Sequence, residues 1–336
     1  MSERPQIIDA FLQHSGWSRR DLHPLAGDAS FRRYGRLMAN GRRAILMDAP
    51  PPTENVRPFM RLAEHLIALG LSAPAVLAAD EQNGILLLED FGDDTFSRLL
   101  AAGGDEGGLY ALAIDVLTYL HRLPAGRVLP PDLPRYDAHR LLDEALLFVD
   151  WYLADLLGAA AASASRGTFI EAWTTVVPPV LAAPATLVLR DFHVDNLMQL
   201  PGRHGMSACG LLDFQDAVAG PAAYDVLSLL EDARRDVSDD LAAAMIERYA
   251  AAVGLTDRAP FEEVFTILAA QRHCKVIGIF TRLHRRDGKP AYLSHIPRVW
   301  RLLDRALHHR ALAPLARWFE MHVPADLRPI LTAEKR

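Results

Sequence analysis

Apolar positions change their period along this chain. Up to about residue 90 they form short β-type runs: Phe31–Leu37 and Arg43–Asp48 are predicted strands, and Met38-Ala39-Asn40-Gly41 between them carries the Asn-Gly pair of a tight hairpin. Pro50-Pro51-Pro52 breaks the pattern. Val56–Leu69 then repeats apolar residues at helical spacing until Gly70 caps it. Residues 84–92 read as a buried strand ending in Glu89-Asp90-Phe91-Gly92, a natural hinge between lobes. From Leu109 a helical period takes over, with helices predicted over 109–122, 138–157, 168–177, 223–234, 240–253, 261–283 and 296–312. Two β-leaning runs interrupt them, Thr186–Leu189 and Cys209–Leu212, each leading into an aspartate followed by phenylalanine. The alanine-rich stretch 159–165 reads as a helix end or loop.

This order predicts an α+β chain of two lobes: a small β-rich N-lobe over residues 1–92 with the hinge at its end, and a large, mainly helical C-lobe over 93–336. Composition adds exclusions. With 50% hydrophobic and 23% charged residues the chain is globular, not disordered, and a net charge of −6 offers no cationic field for nucleic acid. The charge is unevenly spread. Residues 1–88 hold 10 basic and 9 acidic side chains, 89–240 hold 10 and 24, and 241–336 hold 16 and 9. Cys209 and Cys274 are too few for a zinc cluster or disulfide framework, and none of the 13 histidines forms an H-E-x-x-H pair. The most apolar window, 176–189, is too short to span a bilayer, and the N-terminus is amphipathic rather than signal-like, so a cytoplasmic protein is expected.

Arg190-Asp191-Phe192-His193-Val194-Asp195-Asn196 carries the chemistry. An aspartate follows a strand with an asparagine five residues later, the spacing of a kinase catalytic loop. Phosphoryl transfer needs a carboxylate to orient the attacking hydroxyl and accept its proton, and a neutral oxygen ligand to help hold magnesium. Asp213-Phe214-Gln215-Asp216 ends the next strand, where a second carboxylate would bind that metal. Upstream, the loop Gly27, Asp28, Ala29, Ser30, Phe31 and Arg32 could cover nucleotide phosphates, and the backbone at Glu89 could meet the adenine.

In order and spacing these motifs resemble the aminoglycoside phosphotransferase family, the small-molecule branch of the protein-kinase-like fold, from Gly27 to about Leu293. Met47-Asp48-Ala49-Pro50-Pro51 belongs to this resemblance too, and Gly278-Ile279-Phe280 with Arg286-Asp287-Gly288-Lys289 are more similar to its anomeric sugar kinases of cell-wall recycling, which phosphorylate N-acetylmuramate and N-acetylglucosamine at C1. The resemblance implies ATP and Mg²⁺ as cofactors, Asp191 as catalytic base, Asn196 and Asp213 as metal ligands, and Asp225 with Arg190 as braces behind the loop. It implies a small amino-sugar substrate; charge argues against nucleic acid and hydropathy against a membrane, and no obligatory protein partner is evident.

Two positions depart from the family pattern. Leu189 stands where a loop-bracing histidine is common, and Met47 stands where a strand lysine would pair with phosphate, leaving the helix acid Glu64 without that partner. Arg32, Arg33 and Arg43 are the candidate substitutes. Arg272 and Lys275, three apart on one helix face, could converge on a substrate carboxylate. Asp216 is a further substrate candidate, and His193 either touches substrate or holds the loop. Two other readings stay open: a family kinase for an aminoglycoside, amino alcohol or homoserine, and a nucleotide-binding pseudokinase scaffold.

Overall fold

The computed structural model describes residues 4–25 and 32–328. Its strands are β1 (Leu22–Pro24), β2 (Arg33–Ala39), β3 (Arg42–Asp48), β4 (Val76–Asp80), β5 (Ile85–Leu88), β6 (Ala185–Val188), β7 (Leu197–Gln199), β8 (Cys209–Leu211) and β9 (Val218–Pro221). The chain forms two compact units. One runs to Val116 and takes in Val194–Asp216; the other holds Leu117–His193 and the chain from Ala217 on.

In the first unit β1-β2-β3-β5-β4 form an antiparallel sheet. The β2–β3 hairpin turns on Asn40 and Gly41, both with positive φ (52° and 74°), as the Asn-Gly pair requires. Leu37, Ala44, Leu46, Ile85 and Leu87 from the sheet meet Ile8, Phe11 and Leu12 of the Arg4–His14 helix and Trp17 in one core. All four residues of β5 are buried, the pattern of a central strand. The Arg57–Ala68 helix starts with proline at its first turn and stops before Gly70, whose φ is 83°.

The β7–β8 hairpin also belongs to this unit, beyond the sequence-based division at residue 92. Its backbone is bonded there: Leu211 N–H donates to Ser72 O (2.8 Å), Gln199 N–H to Asp94 O (2.8 Å), and Ser97 N–H to Val194 O (3.1 Å). Such long-range hydrogen bonds leave no periodic trace in the chain. The division itself falls inside the Glu106–Arg122 helix.

The second unit is mainly helical, with the two-stranded β6–β9 pair in register from Ala185↔Pro221 to Val188↔Val218. Its core gathers Phe148, Tyr152, Phe169, Trp173, Trp300, Trp318 and Phe319, so Tyr152 and Trp173 pack rather than stack on a ligand. Three elements differ from the periodicity. The predicted 138–157 helix changes to a π-helical stretch at Phe148–Leu153, which turns Phe148, Val149, Tyr152 and Leu153 into that core. The stretch from Ala159, expected as a helix end or loop, instead opens an 18-residue helix, Ala159–Val176, in keeping with alanine's helix propensity. The 223–234 helix ends at Leu230.

The longest helix, Ala259–Asp287, carries Gly278 against the backbone of Leu147. A Cβ built there would lie 2.3 Å from the Leu147 carbonyl carbon and oxygen, so only glycine admits this crossing.

Candidate active site

In the second unit β6 delivers the chain into Leu189-Arg190-Asp191-Phe192-His193. Arg190 holds φ at 70°, left-handed for a residue with a side chain, and Asp191 N–H donates back to Leu189 O (2.9 Å). Asp225, fully buried on the Ala223–Leu230 helix, fixes this turn: its carboxylate accepts the N–H groups of Leu189 (2.6 Å) and Arg190 (2.9 Å). Burial pushes the Asp225 carboxyl up to about 7, against the opposing pull of those two donors. Ser228 Oγ donates to Arg190 O (3.2 Å) and accepts from Arg272 Nη2 (2.9 Å).

Behind the loop lies a charged cluster centred on Glu144. The Arg190 guanidinium pairs with it, Lys275 Nζ lies 3.3 Å from it, and Tyr136 Oη and Gln271 Nε2 (3.3 Å) donate to it. Lys275 Nζ also donates to Tyr224 Oη (3.3 Å). Burial works to raise the Asp191 carboxyl, but the charges of Lys275, Arg190 and Arg272 outweigh it and hold Asp191 below the usual carboxylate range. Asp191 is therefore an ionised carboxylate on a fixed turn, the protonation state a base requires.

Several predicted residues lie at this loop. Arg272 and Lys275 are buried rather than solvent-facing, and their contacts run to Ser228, Tyr224 and Glu144 beneath the turn. His193 is buried, with Arg234 Nη1 3.5 Å from its Nε2; burial lowers its basicity. Leu189 is packed away, and Asp225 takes its N–H. Glu144 was missed by sequence reading: an acid within an amphipathic helix, Ala138–Leu147, gives no sign of what it meets.

In the first unit the β7–β8 pair sets Leu197 opposite Leu211, and Leu212 N–H donates to Asn196 O (2.9 Å). Asn196 and Asp213, distant in sequence, thus come to the same end of one hairpin. Asp213 has φ 56°, and its side chain is 41% exposed while accepting Gln215 Nε2 on Oδ1 (2.7 Å). Phe214 beside it is buried and stacked on Phe59, with ring centroids 5.0 Å apart. Magnesium takes oxygen ligands, one or two carboxylates completed by phosphates and waters, and an amide oxygen with an accessible carboxylate fits that donor type. Asp216 is exposed, 3.5 Å from Gln215 Nε2.

Glu89 donates its backbone N–H to Ala75 O (2.9 Å), and its carboxylate pairs with Arg203, which also reaches Ser72 Oγ (2.7 Å). Met47 is buried and Glu64 is exposed on its helix, so the strand-and-helix ion pair of kinases is absent at these two positions. Arg32 instead pairs with Glu54 (Nε to Oε2, 2.9 Å) and approaches Asp213 Oδ1 to 3.7 Å. The predicted phosphate-covering residues Gly27, Asp28, Ala29, Ser30 and Phe31 lie outside the described residues.

Residues 21–264 match the model of a family described as phosphotransferase enzymes. The chain belongs to this phosphotransferase family. Among curated relatives, an N-acetylmuramate/N-acetylglucosamine kinase of Caulobacter vibrioides is 39% identical over 97% of this chain and 99% of its own. Its namesake in Pseudomonas aeruginosa is 38% identical over 88% of this chain and 87% of its own. Solved family structures share the fold at low identity. The GDP complex of aminoglycoside 2'-phosphotransferase-IIIa superposes with a TM-score of 0.61 at 14% identity, covering 91% of this chain and 98% of that one. A choline/ethanolamine kinase family protein from Mesorhizobium loti gives 0.60 at 15%, covering 95% and 99%. The fold is the protein-kinase-like one of these family members, with a β-sheet N-terminal region and a mainly helical remainder.

Proposed function

We propose that this protein is an ATP-dependent sugar kinase that phosphorylates the anomeric C1 hydroxyl of N-acetylmuramate, N-acetylglucosamine or both. The observation that carries the reading is the Asp191 turn, anchored by Asp225 and kept ionised by surrounding cations, in a chain whose curated relatives bear the name N-acetylmuramate/N-acetylglucosamine kinase. In the reaction the C1 oxygen attacks the γ-phosphorus, the bond to the β–γ bridging oxygen breaks, and the hydroxyl proton passes to the Asp191 carboxylate. An anomeric hydroxyl is more acidic than an ordinary alcohol, so a carboxylate of low basicity suffices. Asn196 and Asp213 hold Mg²⁺, which when bound neutralises charge developing on the phosphates. Arg190, Asp225 and Ser228 hold the turn, and Lys275 and Arg272 keep Asp191 deprotonated.

A cytoplasmic setting, where ATP is abundant, belongs to this proposal; no helix among the described residues is long and apolar enough to cross a membrane. Buried Met47, in the place of a phosphate-pairing lysine, favours a second reading, a nucleotide-binding scaffold. Phosphorus NMR with ATP, Mg²⁺ and either amino sugar separates the two. A sugar 1-phosphate signal coupled to the C1 proton, lost in Asp191→Asn, is expected. Bound ATP with no transfer to either sugar would overturn the proposed substrate.

A further inference from the structure

A kinase that lacks the strand lysine still has to meet the charge of a nucleotide triphosphate. In the first unit Met47 pairs in register with Tyr34, and its thioether is buried and uncharged. Of the arginines nearby, Arg33 is exposed at the start of β2, and Arg43 donates to Asp90 (2.9 Å) with Asp93 4.0 Å away. Arg36 is engaged by Asp90, Asp93 and Gly92 O. Arg42 donates to Gly16 O (2.9 Å) and covers the Trp17 ring.

Arg32 is placed differently. Both it and Glu54 are only 12% exposed at the side chain, and Glu54 holds Arg32 by Nε at 2.9 Å. That grip fixes the plane of the guanidinium and leaves Nη1 3.7 Å from Asp213 Oδ1. The cation thus stands beside the carboxylate assigned above to the phosphate-bound metal. We propose that Arg32, oriented by Glu54, is the cation that pairs with the nucleotide triphosphate, doing with an arginine and a loop glutamate what related kinases do with a strand lysine and a helix glutamate. This rests on the kinase reading of the same unit.

The chemistry suits the exchange. A guanidinium presents parallel N–H donors that match two phosphate oxygens, and it stays charged when partly buried. Its hydrogen-bonded pair with Glu54 runs through Nε, and its Nη1 meets Asp213 only at 3.7 Å, longer than a hydrogen bond. Glu54 lies after Pro50-Pro51-Pro52 and before the Arg57–Ala68 helix, so the helix acid Glu64 is not needed and stands exposed.

The test is calorimetric binding of Mg²⁺ with the non-hydrolysable ATP analogue AMP-PNP, set against binding of adenosine, which has no phosphate. Arg32→Met is expected to weaken AMP-PNP about ten- to a hundredfold while adenosine affinity holds. Unchanged AMP-PNP affinity would overturn the assignment. An equal loss for both ligands would overturn it too, because Arg32 would then shape the fold rather than meet phosphate. Should Arg32→Met fail to fold, Glu54→Gln keeps the side-chain shape and is expected to weaken AMP-PNP selectively; affinity equal to the parent's would overturn the proposal. A parent protein that binds neither ligand removes the kinase reading beneath it, an outcome distinct from all of these.

Discussion

The Asp225 carboxylate accepts the Arg190 backbone N–H at 2.9 Å while Arg190 sits at φ 70°. A left-handed residue with a side chain is strained, and it persists where its surroundings over-determine it. Here a buried acid, a hydroxyl on Arg190 O and an ion pair on its guanidinium all act on one residue, so the aspartate that follows is presented on a rigid turn.

Asp225 makes stability depend on pH. Its folded-state carboxyl, raised to about 7, lies above the unfolded carboxylate range, so its contribution is complete below about pH 4 and is lost as pH rises through 7. Thermal melts of the parent and Asp225→Asn between pH 4 and 8 should show the parent losing stability relative to the variant as pH rises. A pH-independent difference would refute this.

Asp191→Asn removes the proposed proton acceptor without changing the side chain's shape. Turnover should fall by about 10²- to 10⁴-fold, with AMP-PNP affinity within about twofold of the parent's. A steady-state assay beside a binding titration checks both.

Lys275 is the leading cation holding Asp191 down. Lys275→Met keeps the length, and Glu144 retains Arg190. The acid limb of kcat against pH should then move to higher pH, because the Asp191 carboxyl loses its strongest stabilising charge. A pH–rate profile identical to the parent's would count against that coupling.

Two glycines on helices of the second unit should respond oppositely to alanine. Gly278→Ala forces a Cβ onto the Leu147 backbone and should cost about 1–3 kcal/mol. Gly167, exposed on the Ala159–Val176 helix with nothing within 4 Å of a built Cβ, should gain about 0.5–1 kcal/mol on the same change. Urea unfolding of the three proteins decides.

Chelation by EDTA should abolish turnover and Mg²⁺ should restore it. Asp213→Asn, which removes the only carboxylate of the proposed pair, should raise the Mg²⁺ concentration for half-maximal rate by tenfold or more. The check is a magnesium titration of initial rate.

Much of the candidate site was legible in the chain because its loop is local. Asp191 and Asn196 lie five residues apart, and a strand, an acid and an aromatic recur at Asp213. The β2–β3 hairpin was legible for the same reason, Asn40 and Gly41 fixing the turn by their own backbone preferences. What was hidden depends on long-range partners. Glu144, which nothing in its helical period singles out, collects Arg190, Lys275, Tyr136 and Gln271. Glu54 follows three prolines with no local pattern to mark it, and it pairs with Arg32. Arg272 and Lys275 were visible as one helical face, but which surface that face meets is not written in its period.

By itself, then, the sequence determined the succession of β-type and helical segments, the tight hairpin and the spacing of the proposed catalytic loop, since each rests on interactions within a few residues. Tertiary structure decided which charges are buried together: Asp225 under Arg190, Glu144 between Arg190 and Lys275, Glu54 against Arg32. A buried charge is stable only with partners at hydrogen-bond distance. Those partners are brought from remote parts of each unit by the packing of its apolar core, so no local pattern names them.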